Sequence, residues 1–225
     1  MVKVFTVGQD LDTDSAFALH NACFGDEREW FDAFLSAARG QQYIAFCKDE
    51  EYIGGMFLLD VFFGEYKGKY VYALGTMPSH RGQGVARALL EKAKELSKDF
   101  TLICAADKRL AATYEKHGFD RYVGGTVKAG DMRGADIDTS AYNIPCTYAD
   151  IRGGLLLNEK LFEFALGGSC CASLYTNGKE IVAKSGAGVY AAYGISPLVA
   201  QKAQLYLKQD IDFSGACADL ILETV

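Results

Sequence analysis

The sequence predicts an α/β (α+β) fold, because apolar strand patterns and amphipathic helix patterns follow one another along most of the chain. The clearest unit is residues 70–97, where an apolar segment ends before Pro78, a glycine-rich turn follows, and an amphipathic helix begins at Val85. A glycine turn that opens a helix suits a phosphate group, since glycine admits a ligand to the backbone and the helix N-terminus is partly positive. The unit therefore predicts a protein that holds a pyrophosphate.

The segments before this unit read in order as strand, two helices and a hairpin. Alternating polarity predicts the first strand, and the side chains of Asp12 and Asp14 can cap the helix that follows. A polar turn at residues 49–51 separates the two strands of the hairpin. The predicted elements are a strand at 2–7, helices at 12–23 and 30–38, and hairpin strands at 43–48 and 52–63.

The segments after the glycine turn continue the alternation. A polar–apolar pattern predicts a helix over 85–97, and a short apolar run predicts a buried strand at 101–104. A further helix is predicted over 110–117, and Gly118 is suited to end it. A strand over 119–127 then completes this part of the chain.

Two motifs narrow the choice among phosphate-binding folds. A P-loop requires Gly-Lys-Ser/Thr, which is absent here, and a dinucleotide loop requires a glycine where Arg87 stands. What remains is Arg81-x-x-Gly84-x-Ala86 after a strand that ends at Thr76-Met77-Pro78. This segment resembles the acetyl-CoA loop of the GNAT N-acetyltransferases. Tyr114-Glu115-Lys116-His117-Gly118-Phe119 is similar to the Tyr-x-Lys-x-Gly-Phe segment of the same family.

The resemblance covers about the first 128 residues and implies the GNAT fold with a mixed central sheet. It implies acetyl-CoA as the co-substrate, with backbone groups near the strand end pairing with its pantetheine arm. Asp107 stands where the family often has an asparagine that contacts that arm, and a carboxylate accepts hydrogen bonds but cannot donate them. The cofactor-binding residues that the resemblance implies are Thr76, Met77, Arg81, Gly82, Gln83, Gly84, Val85, Ala86 and Asp107.

By the same resemblance, Tyr114 is the general acid that protonates the leaving CoA thiolate, since a phenol is protonated at neutral pH. The strand before the loop carries no carboxylate to act as general base. A water molecule or an acidic residue elsewhere remains open for that role. The acids in segments that flank the acceptor site in this fold are Asp26, Glu27, Glu29 and Asp60, and the terminal carboxylate at Val225 is a further option.

The last third of the chain reads as a separate unit. A polar linker is predicted at 129–142, followed by a smaller α+β domain over 143–225. Asn177-Gly178 is a strong hairpin signal between strands at 169–176 and 180–185, and a helix is predicted over 198–209 with a strand at 219–224. Residues 191–197 parallel residues 72–78, so the domain is interpreted as a degenerate GNAT-like repeat without the glycine loop. Chance similarity is the alternative.

Composition limits the partners. The net charge of −6 argues against nucleic acid, and no apolar run is long enough to span a membrane. The seven cysteines are scattered without a Cys-x-x-Cys pair, which favours a reducing cytoplasm over a disulfide framework or a metal site. The resemblance is compatible with a homodimer.

These observations predict a cytoplasmic N-acetyltransferase that transfers an acyl group from acetyl-CoA to a primary amine by direct attack in a ternary complex. The amine acceptor, on a small molecule or a peptide, stays open. Two alternatives remain: a non-catalytic CoA-binding regulatory or sensor module, and an interaction protein whose C-terminal part forms a dimer face.

Overall fold

The computed structural model describes residues 1–125, 143–145, 154–157, 160–161, 164, 173–176, 181–185, 188–193, 202–213 and 217–218. Within this part of the chain, four helices lie in the first 115 residues: α1 (Thr13–Phe24), α2 (Arg28–Ala37), α3 (Val85–Leu96) and α4 (Lys108–Glu115). None of the helices in the described residues is long and apolar enough to cross a membrane.

The strands of the first 125 residues are those that the sequence predicts. They are β1 (Val2–Thr6), β2 (Gln42–Lys48), β3 (Glu51–Phe63), β4 (Tyr66–Thr76), β5 (Phe100–Cys104) and β6 (Arg121–Gly125). The capping prediction for α1 is also confirmed, because a carboxylate oxygen of Asp12 accepts the amides of Asp14 and Ser15, each at 3.2 Å.

Seven further strands belong to the C-terminal part of the chain: β7 (Ile144–Pro145), β8 (Gly154–Leu157), β9 (Ser173–Thr176), β10 (Ile181–Ser185), β11 (Gly188–Tyr193), β12 (Lys202–Leu207) and β13 (Cys217–Ala218). β9 and β10 pair antiparallel, as the predicted hairpin requires. Three predicted features lie outside the described residues. They are the hairpin turn at 177–180, the strand at 219–224, and residues 194–197, which are the end of the segment that parallels residues 72–78.

The main sheet has nine strands in the order β1-β2-β3-β4-β5-β12-β6-β13-β8, and β8 also pairs with the far end of β3. The sheet is mixed. β4 and β5 run parallel, whereas the consecutive pairs from β1 to β4 are antiparallel, and β12 is antiparallel to both β5 and β6. A second sheet has the order β11-β10-β9-β7.

The helix predicted over 198–209 is wrong, because residues 202–207 form β12. This strand lies between β5 and β6 and pairs antiparallel with both. Ala, Gln, Leu and Lys favour helices, but Ala203, Gln204 and Leu205 are all buried, as a central strand covered on both faces requires. Pairing with two neighbours overrides the local propensity. The domain boundaries at 128 and 142 stay a prediction, although β8, β12 and β13 all join the main sheet.

The core consists of two apolar clusters on opposite faces of the main sheet. One contains Phe31 and Phe34 of α2, and the other contains Leu89 and Leu90 of α3. Alternate residues of β3 divide between them, as the period of a strand requires. α1 and α2 thus cover one face, and α3 and α4 cover the other.

Candidate active site

The glycine turn before α3 has the conformation that its residues suggest. A short 3₁₀ turn at Pro78–His80 leads into Gly82 and Gly84, whose φ angles are +78° and +80°. Gly84 is the N-cap of α3 and no side chain caps this helix, so its first amides are available to an anion. A Cβ at either glycine would meet no atom within 4 Å, so the space beside the turn is open.

A close approach of glycine to valine sets the position of this turn on the sheet. An added Cβ at Gly54 of β3 would lie 2.3 Å from Cγ1 of Val85, the first residue of α3. A larger side chain at position 54 would push the start of α3 away from the sheet. The helix N-terminus is thus held directly beside the end of β4.

β4 and β5 separate next to this turn. Their parallel pairing extends from Gly68–Phe100 to Val71–Ile103 and goes no further, although β4 continues to Thr76. At the same place the register of β4 against β3 shifts, and Ala73 has a φ of +52°, which is rare for a residue with a side chain. The bulge turns the end of β4 away from β5 and opens a cleft between these two strands.

A cavity of about 500 Å³ lies beside the end of β4, beyond the point where the strands separate, between the glycine turn with the start of α3 and the helix α4. Three arginines and two histidines line it, and none of the described residues that line it is acidic, although the chain carries a net charge of −6. The cavity is therefore suited to a large anionic ligand. Its cationic side chains are Arg81, Arg87 and Arg109, and its histidines are His80 and His117.

Most of the site residues predicted from the sequence line this cavity. Arg81 also donates from Nε to the carbonyl of Thr76 at 3.3 Å, which ties the loop to the end of β4. The predicted residues in the lining are Thr76, Arg81, Gly82, Gly84, Val85, Ala86 and Tyr114.

Three predicted residues are not among those that line the cavity. The Met77 amide donates to the carbonyl of Ile53 at 2.9 Å, so this amide is engaged by β3. The Gln83 side chain donates to the carbonyl of Ser79 at 3.3 Å. The Asp107 carboxylate caps α4 by accepting the Leu110 amide at 2.7 Å.

The Met77 contact also orients its neighbour. Hydrogen-bonded and non-bonded pairs alternate along an antiparallel ladder, so the amide of Thr76, which is opposite Gly54, points away from β3. That direction is the open edge of β4, where β5 has separated. Thr76 is thus the residue of the predicted pair whose amide faces away from β3, on the side where the Thr76 backbone hydrogen-bonds the Cys23 thiol.

Tyr114 lies at the junction of two cavities. It is 7% exposed, it lies in the last turn of α4, and it lines both the large cavity and a second one of about 170 Å³. Phe24, Leu74 and Leu110 also line both. The two cavities are therefore adjoining parts of one cleft, and Tyr114 stands where they meet.

The second cavity contains one of the acids considered from the sequence. Asp26 lines it together with His20, and Oδ2 of Asp26 lies 2.7 Å from Nε2 of His20. Burial lowers the pKa of His20, and the hydrogen bond to Asp26 opposes this in part. Glu27, Glu29 and Asp60 are not among the residues that line either cavity.

The family model described as Acetyltransferase (GNAT) family matches residues 9–119, the segment that contains the glycine turn, the separated strands and Tyr114. Residues 9–119 form a GNAT acetyltransferase domain. The GNAT fold and the mixed sheet predicted for this part of the chain are confirmed.

Two solved structures are similar to most of the chain. A protein from Enterococcus faecalis V583, described as a probable N-acyltransferase, is 16% identical with a TM-score of 0.50, and the match covers 92% of this chain and 59% of that chain. A GCN5-related N-acetyltransferase from Kribbella flavida is 14% identical with a TM-score of 0.53, over 92% and 72% of the two chains. The chain thus spans little more than half of the first structure. No curated protein is detectably similar in sequence.

The sequence motifs of the GNAT domain did not include Arg87 or Arg109. Both lie in the first turn of a helix, Arg87 in α3 and Arg109 in α4. The N-terminus of α3 has no side-chain cap and no acidic residue in its first turn, whereas the Asp107 carboxylate caps α4. Arg87 is therefore a cation beside the positive end of an uncapped helix, which is unfavourable, and an anionic ligand would remove that penalty. An arginine in the first turn of a predicted helix can be recognised in the sequence, although it belongs to neither of the two motifs.

Proposed function

We propose that this GNAT domain transfers an acetyl group from acetyl-CoA to the primary amine of a small molecule or peptide. The observation that carries the proposal is the cationic cavity, which adjoins both an uncapped helix N-terminus and the separated ends of β4 and β5. CoA carries its negative charges on phosphates at one end and a neutral thioester arm at the other. The cavity is divided in the same way as CoA. Its cationic side chains lie around α3 and α4, where the phosphates would bind, and its other wall is the edge of β4, where the neutral arm would lie.

The anionic end of acetyl-CoA would bind at the glycine turn. Amides at the start of α3 point toward an anion placed beside Gly82 and Gly84, and Arg81 adds a charge from the same loop. Arg87 and Arg109 line the same cavity from two different helices. Together these groups neutralise a ligand that an acidic protein would otherwise repel.

The thioester arm would extend along the open edge of β4 toward Tyr114. The Thr76 amide points to that edge, and an amide directed at a thioester oxygen stabilises the negative charge of the tetrahedral intermediate. Attack of the amine forms the N–C bond and expels the thiolate when the C–S bond breaks. The Tyr114 hydroxyl supplies the proton that converts the thiolate into free CoA.

A CoA-binding module without catalysis is the second candidate function. It is favoured by β4, which has no aspartate or glutamate to act as the base along the whole of Tyr66–Thr76. Such a module would need the cationic cavity but would not need Tyr114 at the junction.

Mass spectrometry of reaction mixtures separates the two candidates. The purified protein would be incubated with acetyl-CoA and, in turn, a polyamine, an aminoglycoside, an amino acid and a peptide with a free N-terminus. Enzyme-dependent acetylation of any of these amines supports the transferase. Binding of acetyl-CoA with no acetylated amine in any mixture would favour the module.

A further inference from the structure

The smaller cavity differs in character from the larger one. Its volume is about 170 Å³, and of the described residues that line it only Asp26 carries a full charge when His20 is neutral. The rest of the lining is aromatic, aliphatic or thiol, with Phe24, Tyr72, Cys104 and Tyr114 among its side chains. A cavity whose lining side chains are mostly apolar and include one carboxylate but no arginine or lysine is a poor site for a phosphate and a suitable one for an amine on an apolar group.

The carboxylate in this cavity is held by a buried histidine. The side chains of His20 and Asp26 are 4% and 41% exposed, so the histidine is enclosed while the carboxylate reaches the open space. Asn21 donates to the backbone carbonyl of Asp26 at 2.9 Å, which fixes the turn that carries the carboxylate. The pair therefore places the Asp26 carboxylate at a fixed position, in contact with the titratable imidazole of His20.

Aromatic rings enclose His20 on the other sides. Ring centroids lie 4.9 Å away for Phe24, 5.8 Å for Trp30, 5.0 Å for Phe31 and 6.4 Å for Phe57. None of these rings titrates, so Asp26 is the charged group that faces His20, while Tyr72, Cys104 and Tyr114 share its cavity. Removal from water keeps the imidazole neutral near pH 7, which is the form that accepts a proton.

We propose that this smaller cavity is the acceptor site of the transferase, that it takes a small primary amine attached to an apolar group, and that the His20–Asp26 pair receives the proton released by that amine. The inference rests on the proposed function, and it supplies the base that β4 lacks. The chemistry is balanced within the cleft. Attack of the amine on the thioester forms the N–C bond and makes the nitrogen acidic, and its proton passes to the pair. The C–S bond breaks, Tyr114 protonates the thiolate, and solvent returns the proton from the pair to Tyr114.

The size of the cavity limits the acceptor. Benzene fills an apolar protein cavity of about 150 Å³, so a site of about 170 Å³ holds one aromatic ring or a branched alkyl group. Asp26 would hold the ammonium group at the exposed side, where it loses one proton to solvent and becomes the neutral amine that attacks. A sugar amine would leave several hydroxyl groups without partners against the apolar lining, which costs binding free energy.

Acceptor choice tests the site directly. Initial rates with acetyl-CoA would be measured for phenethylamine and, as a polar amine of similar length, for glucosamine. The inference predicts that kcat/KM for phenethylamine is at least tenfold the value for glucosamine, and that Asp26→Asn reduces it mainly through a higher KM. Equal values, or a preference for glucosamine, would overturn the proposed substrate class.

The proton-accepting role requires a variant that keeps the hydrogen bond. His20→Gln preserves a side-chain donor for Asp26 but cannot accept a proton at neutral pH. We expect kcat to fall about 100-fold, which is the low end of general-base effects, with acetyl-CoA affinity unchanged. The fall of kcat/KM on the acid side, set in the wild type by a His20 pKa below its usual value of 6.5, should change shape in this variant.

The matched control is Asp32→Asn, since Asp32 is an exposed carboxylate in an ion pair with Arg28 and lies outside both cavities. Its rates should equal those of the wild type. If His20→Gln retains the wild-type kcat and pH profile while the wild type transfers acetyl groups, the base assignment is wrong and the transferase stands. If the wild type does not bind acetyl-CoA at all, the proposed function fails and this inference fails with it.

Discussion

At the scale of the residue, Tyr114 is the side chain on which the two halves of the cleft depend. It is nearly buried, it lines both cavities, and its helix is fixed at the N-terminus by the Asp107 cap. Under the proposed function, the hydroxyl at this junction lies between the CoA sulfur on the cationic side and the amine in the smaller cavity.

Replacement of this hydroxyl gives the first prediction. Tyr114→Phe keeps the ring and removes the proton donor, so kcat should fall about 100-fold or more while acetyl-CoA affinity stays unchanged. Steady-state rates and calorimetric titration measure the two quantities. Tyr122→Phe is the control, because Tyr122 is 44% exposed and its hydroxyl bonds only to the surface residue Glu115 among its described partners. An unchanged kcat would remove Tyr114 from the mechanism.

At the scale of the element, the first turns of α3 and α4 place two arginines around the large cavity. Arg87 and Arg109 belong to different helices, and it is the separation of β4 from β5 that brings both helix ends to one space. Neither arginine has an acidic neighbour in its own first turn.

The second prediction follows from this arrangement. Arg87→Gln and Arg109→Gln should each weaken acetyl-CoA binding about tenfold or more, because a hydrogen bond to a charged group contributes about 1.5–3 kcal/mol. The loss should shrink at high salt, where charges are screened. Arg121→Gln, on β6 and outside both cavities, should bind as the wild type does. If Arg87→Gln and Arg109→Gln bind acetyl-CoA as tightly as Arg121→Gln does, the cavity does not hold the phosphates.

Elements could be predicted from the sequence wherever their pattern was local. The Asp12 cap, the glycine turn and the period of α3 each lie within a few residues, and the structure confirms the elements they predict. β12 could not be predicted, since its residues favour a helix until two neighbouring strands bury both faces. The His20–Asp26 pair is local, since its members are six residues apart at the end of α1, but no motif marks it. Its cavity could not be predicted, because it depends on the separation of β4 from β5, which no local pattern records.

At the scale of the whole molecule, the C-terminal part of the chain completes the sheet that carries the site. β12 lies between β5 and β6, and Gln204 on this strand donates to the carbonyls of Ala111 and Phe119 at 3.0 and 2.9 Å. These bonds join a strand more than 80 residues away to the helix and turn that hold Tyr114.

The third prediction concerns this connection. Gln204 is fully buried, so Gln204→Ala leaves two carbonyls without these bonds and should lower the free energy of unfolding by about 1–3 kcal/mol. Urea denaturation measures the loss. Gln209→Ala is the control, since Gln209 is exposed and bonds to the side chain of Asp99, and its effect should be below about 1 kcal/mol. Equal effects would mean that β12 does not support the GNAT domain in this way.

Calorimetric titration with acetyl-CoA is the most direct test of the whole account. The wild type should bind with a micromolar Kd, and Gly84→Glu should abolish binding by placing a carboxylate at the helix N-terminus. Gly40→Glu should bind normally, because Gly40 has the same kind of backbone, with a φ of +84° and no atom within 4 Å of an added Cβ, but lies outside the cleft. Absence of binding by the wild type, or undiminished binding by Gly84→Glu, would contradict the assignment of this cleft to acetyl-CoA.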